Sequence, residues 1–138
     1  MKRTLENMLP VAMDVIGQNL VNKKNKVPAV YNGYISSMGA SIIQMGLVPT
    51  LVVYANEGKE RKKLLNAIFL LLKEQDASLK KSTANDLLGH AMKIMRDNVS
   101  DNRNKRLEIR QLKKQIETAA VALKLAIRTF EKDEQNQE

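Results

Sequence analysis

Between Lys26 and Glu57 the chain carries no residue that is charged near neutral pH, while charge is dense on both sides of that stretch. Thirty uncharged residues in a row leave few ways to fold. A membrane helix needs about 20 predominantly apolar residues in one continuous helix. Here Ser36, Ser37, Ser41 and Gln44 dilute the apolar character, and Gly46 followed by Pro49 divides the run. Glycine just past a helix end and proline shortly after it form a stop signal. The stretch therefore reads as two short helices, about 28–45 and 49–56, at the centre of a water-surrounded bundle, with Pro28 at the first helical position. Val30, Tyr34, Ile35, Met38, Ile42 and Met45 follow three- and four-residue steps along the first of them.

The remaining segments have the same period. Leu5, Leu9, Ala12, Met13, Ile16 and Leu20 form a stripe in which Pro10 is awkward, so the helix is expected to begin nearer Met8 with residues 1–7 loosely attached; Thr4 is the alternative cap. Leu64, Leu65, Ile68, Leu71 and Leu72, widened by Phe69 and Leu70, make the next helix apolar on nearly every side. Ser82 or Thr83 is placed to cap a helix whose Leu87, Leu88, Ala91, Met92 and Met95 face inward. From Arg103 to about Lys132, Ile109, Leu112, Ile116, Ala119, Leu123, Ala126 and Phe130 repeat over three heptads, a seam for other helices. The expectation is an all-α fold, a single domain over residues 1–138 of five to seven helices with a long C-terminal helix and a frayed end at 133–138. The N-terminus lacks a signal peptide's apolar core, which makes the cytoplasm the expected location.

Catalysis finds little to work with. There is no cysteine and one histidine, His90, at the edge of an apolar stripe where a structural role is the commoner one. The six glycines form neither a phosphate loop nor a dinucleotide fingerprint. No enzyme activity, metal or cofactor is expected. What stands out is positive charge: 23 basic residues against 15 acidic, with the excess held by the body of the chain, since residues 115–138 have three basic and five acidic. Arg103, Arg106, Arg110 and Lys113 step along one face of the last helix, with Lys114 beside them and Lys105 near its start. Such a strip suits a phosphate backbone, because each neutralised phosphate releases condensed counterions. Lys23 and Lys24, in the loop NKKNK, and Arg61, Lys62 and Lys63 are secondary candidates. Aromatic residues are only 4% of the chain, so binding through the backbone is expected rather than base reading on aromatic platforms.

The segment AVYNGYISSMGASIIQMGLVPTLVVYA, with Tyr31, Ile42, Gln44, Gly46, Leu47, Thr50 and Leu51, resembles the signature region of the small all-helical subunit of Cmr-type (type III-B) CRISPR effector complexes. IETAAVALKLAIRTF, with Glu117 and Arg128, is similar to that family's closing helix. Met45 stands where the family usually has Asn, and the Trp of its last helix is absent. The resemblance implies a non-catalytic subunit that stacks with its own copies and with other complex subunits along a guide RNA–target RNA duplex. It also implies that the uncharged run is chiefly core, with no membrane or small-molecule partner. The small subunit of the related Csm-type (type III-A) complex, a protein–protein adaptor that binds no nucleic acid, and a helical enzyme with converging carboxylates are the other readings.

Overall fold

A computed structural model describes residues 2–80, 84, 86–96, 102–130 and 132–133. Among these, seven helices follow one another: α1 (Lys2–Asn19), α2 (Val30–Met45), α3 (Leu47–Asn56), α4 (Lys59–Gln75), the single turn α5 (Ala77–Lys80), α6 (Leu87–Arg96) and the long α7 (Asn102–Ile127). The fold is all-α. The one exception among the described residues is a two-residue parallel pairing of β1 (Val27–Pro28) with β2 (Lys132–Asp133).

α4 occupies the middle. Leu64, Leu65, Ala67, Ile68, Phe69, Leu71 and Leu72 are all buried, whereas Leu70 turns outward. α7 packs chiefly against α1 and α4 and presents Leu112, Ile116, Ala119, Leu123 and Ala126 to the interior, the seam expected from its heptads. One apolar cluster runs through buried residues of α1, α2, α3, α4, α6 and α7. At about 25 cal/mol per Å² of apolar surface removed from water, such a cluster is the main force holding the helices together.

Several boundaries differ from the expectation. α1 begins at Lys2, not near Met8, and contains both Thr4 and Pro10. Pro10 is exposed, so the carbonyl whose partner it removes faces water, and the helix continues through it. The buried stripe of α1 is Met8, Ala12, Val15 and Ile16, with Met13 turned outward. Pro28 lies in β1 rather than opening a helix; Val27 beside it is fully buried. α3 starts at Leu47, because proline is tolerated in a first turn whose amide groups have no acceptor in the helix. Met45 and Met95 are exposed instead of inward-facing. The last helix stops at Ile127, not Lys132: Arg128, Thr129 and Phe130 donate their N–H groups three residues back, and the Thr129 hydroxyl adds a bond to the Ala126 carbonyl at 2.7 Å.

The expected caps Ser82 and Thr83, and residues 134–138 of the expected frayed end, lie outside the described residues. A cap is nonetheless present at α6. The Asp86 carboxylate accepts the Gly89 N–H at 2.6 Å, one of the donors a helix start leaves without partners. Asp86→Ala should lower stability by about 0.5–2 kcal/mol, to be read as the shift in a urea unfolding midpoint.

Helix joints rest on two glycines. Gly46 (φ 92°, ψ 169°) both ends α2 and opens α3, its N–H donating to the Ile42 carbonyl at 2.9 Å. Gly58 (φ 89°, ψ 148°) opens α4. These angles belong to a region of backbone space reached essentially only by glycine. At the first joint Thr50, buried within the fold, keeps its hydroxyl satisfied by donating to the Gly46 carbonyl at 2.9 Å. No helix of the described residues is long and apolar enough to cross a membrane.

Candidate nucleic-acid interface

Four of the cations of α7 stand at the edge of a surface groove. Lys105, Arg106, Arg110 and Lys113 border an open cavity of about 610 Å³, lined on its other sides by Leu47, Val48 and Pro49 of α3, Met95 of α6 and Ile109 of α7 itself. Spacings of three and four residues place Arg106, Ile109, Arg110 and Lys113 on one side of the helix. The joint at Gly46 turns the first turn of α3 toward that side. Among the described residues no carboxylate borders the cavity, and the first turn of α3 contains no acidic residue. Four positive side chains thus meet over an apolar floor.

Arg103 and Lys114 are exposed on the same helix but do not border the cavity. The other sequence candidates lie elsewhere. Lys23 and Lys24 sit on a turn tied by the Asn22 carboxamide, whose oxygen accepts the N–H groups of Lys24 at 2.9 Å and Lys26 at 3.1 Å. The pairing of β1 with β2 anchors this turn beyond the C-terminal end of α7. At 1.5 Å per residue, that end is roughly 20 Å along the axis from Lys113. Lys62 and Lys63 are exposed in the first turns of α4. Their neighbour Arg61 is held: its guanidinium lies over the Tyr34 ring at 4.6 Å and the Tyr54 ring at 5.7 Å. The Tyr54 hydroxyl donates in turn to the Tyr34 carbonyl at 2.9 Å, so Arg61 pins α4 to the α2–α3 pair. Burial pushes the Tyr31 phenol up to about 12 and raises that of Tyr54 as well, which leaves both uncharged at neutral pH.

His90 is apart from the cavity. Its ring is tilted against Phe69 at 6.4 Å between centroids, and burial holds its pKa below the ordinary imidazole value. No cluster of three or more metal-binding side chains occurs among the described residues. The apolar floor was missed by sequence reasoning because Leu47–Pro49, Met95 and Ile109 come together only in the folded chain. The one hint was Met95, a methionine at the edge of the α6 stripe.

A family model described as CRISPR-associated protein (Cas_Cmr5) matches residues 9–120, well over half of the chain. The chain belongs to the Cas_Cmr5 family. It is a CRISPR-associated, type III-B small subunit of the kind its signature residues suggested. Among curated proteins and among solved structures nothing matches it. The matched span of this Cas_Cmr5 chain contains the Gly46 joint and the whole cationic cavity.

Proposed function

We propose that this Cas_Cmr5 chain is a non-catalytic subunit of a type III-B RNA-guided effector, in which it binds the backbone of guide or target RNA through the cations of α7. It associates there with the other subunits and with further copies of itself. The observation that carries the reading is that Lys105, Arg106, Arg110 and Lys113 line one cavity whose described lining contains no carboxylate. Burying or crowding like charges is unfavourable unless a counter-charge arrives, and a phosphodiester chain supplies several at once. Exposed apolar side chains on the uncharged helices, Ile43 (82% accessible) and Met45 among them, support contact with neighbouring subunits. They also limit the expectation that the uncharged run is chiefly core.

The test is a salt series of RNA affinity for the wild type and for the Arg106→Glu, Arg110→Glu double variant, alone and in a reconstituted effector. The variant should bind every RNA sequence more weakly. Its log–log salt slope should fall by about 0.7–0.9 for each phosphate contact removed. Both residues are exposed, so folding stability should move by under about 0.5 kcal/mol. Unchanged affinity and slope in the effector would leave the strip a solvated helix face. Association insensitive to both salt and charge reversal would favour a purely protein-binding adaptor.

A further inference from the structure

The cationic cavity has a floor that phosphate binding alone does not use. We infer that this groove seats the base of an unpaired nucleotide on Val48, Pro49, Met95 and Ile109 while the four cations around it hold the flanking phosphates. The inference rests on the reading that α7 binds RNA, and narrows it to single-stranded RNA.

Two physical comparisons favour this occupant. A duplex keeps its bases stacked inward and offers a side surface of sugars and phosphates. Against such a surface, what the apolar floor gains by leaving water is offset by the cost of stripping water from sugars and phosphates that find no partners there. An unpaired strand exposes base faces, which gain from leaving water for an apolar seat. Met95 suits that seat: it is 46% exposed, and its thioether is polarisable and attracted to aromatic rings. Guanidinium planes such as those of Arg106 and Arg110 also stack on bases.

The second comparison concerns the repeat unit and separates RNA from an acidic protein segment. Lys105 to Lys113 spans roughly 12 Å of helix. Every nucleotide of a strand carries both a phosphate and a base, so cations beside an apolar seat find partners in each repeat unit. An extended acidic peptide turns a side chain to one face only every ~6.6 Å, about two carboxylates over the same length, and those side chains bring nothing apolar to the seat. The groove is better matched to the strand.

The experiment uses the full chain labelled with ¹³C at its methionine methyl groups. The Met95 resonance is assigned by its loss in Met95→Leu. Three ligands of equal length are titrated: single-stranded RNA, the same strand in a duplex, and a strand of the same phosphates lacking bases. The single strand should move the Met95 methyl upfield, through the ring current of a stacked base, and the other two should leave it in place. The base-free strand should bind at least about fivefold more weakly than the intact one, the lower end for one stacked base. Met95→Gln, an exposed change, should remove most of that difference and leave duplex binding unaltered.

An unmoved Met95 methyl with equal affinity for intact and base-free strands overturns the inference, yet leaves phosphate binding standing if Arg106→Glu, Arg110→Glu still weakens both. Loss of neither on charge reversal, or no binding of any strand at millimolar RNA, overturns the parent reading as well. A poly-glutamate peptide that shifts Met95 and binds as tightly as the single strand would assign the groove to an acidic protein partner instead.

Discussion

Leu123→Ala is expected to cost the fold about 2–5 kcal/mol, the range for cutting a fully buried leucine back to its β-carbon. Leu123 has no accessible surface and lies on α7, whose main neighbours are α1 and α4. Removing its isobutyl group forfeits the transfer of those carbons from water and leaves a cavity between helices that close only partly around it. A chain of this length gains about 0.3 kcal/mol/K of unfolding entropy, so the melting temperature should fall by roughly 7–17 °C. Against a usual total of about 5–15 kcal/mol, that loss approaches unfolding at the lower end. Val121, two residues earlier, is 43% exposed on the same helix, and Val121→Ala should change little or add slightly through helix propensity. Thermal melts of the two variants, followed by circular dichroism, check both. Equal shifts would mean that α7 is not seated through the face that carries Leu123.

Gly46→Val should destabilise by about 1–3 kcal/mol for a different reason. A β-carbon built at Gly46 would meet nothing closer than the Pro49 ring carbon Cδ at 3.9 Å, so crowding is not the source. The cost lies in the backbone: φ 92° with ψ 169° is reached only with strain by a residue that has a side chain. Gly46→Ala should therefore cost nearly as much as Gly46→Val, a signature that a steric explanation would not give. Gly39 supplies the opposite sign. It lies within α2 with open space where a methyl group would project, so Gly39→Ala should stabilise by about 0.5–1 kcal/mol. A Gly46→Ala variant that melts with the wild type would remove the joint's special geometry from the account. Because the same joint turns α3 toward α7, RNA affinity should fall along with stability.

The helical fold was legible because the information is local: apolar steps of three and four residues repeat in every long segment, and Gly46 announces its own turn. What could not be read depends on a helix's rotation about its axis. Met13, Met45 and Met95 sit at the edges of their stripes, where a few tens of degrees separate core from water, and all three face outward. The pairing of Val27–Pro28 with Lys132–Asp133 joins residues over a hundred positions apart and has no local signal. Pro10 misled for a specific reason. Its penalty is real inside a helix, but at an exposed position water takes the place of the missing partner. For the site, the spacing of Arg106, Arg110 and Lys113 gave the strip directly, whereas the cavity beside it needed α3 and α6 in place. Arg61 looked like an available cation in the sequence, and only the fold reveals the two tyrosine rings beneath it.

The dependence of the core on α1 and α7, helices from opposite ends of the chain, sets a schedule for synthesis. Residues made first wait for a partner made last. About fifty residues separate the end of α4 from the end of α7, an interval of roughly 3–10 s at ordinary elongation rates of ~5–20 residues per second. Throughout it the nascent chain carries α4 with part of its apolar surface uncovered, and a growing polypeptide in that state is sticky toward its neighbours. A ribosome stalled before Leu112 would release a fragment with the signature segment intact and the core open. Chaperone capture and proteolysis should therefore act on this protein mainly before the closing helix arrives, and a missing final helix should matter more to its abundance than a surface substitution anywhere else.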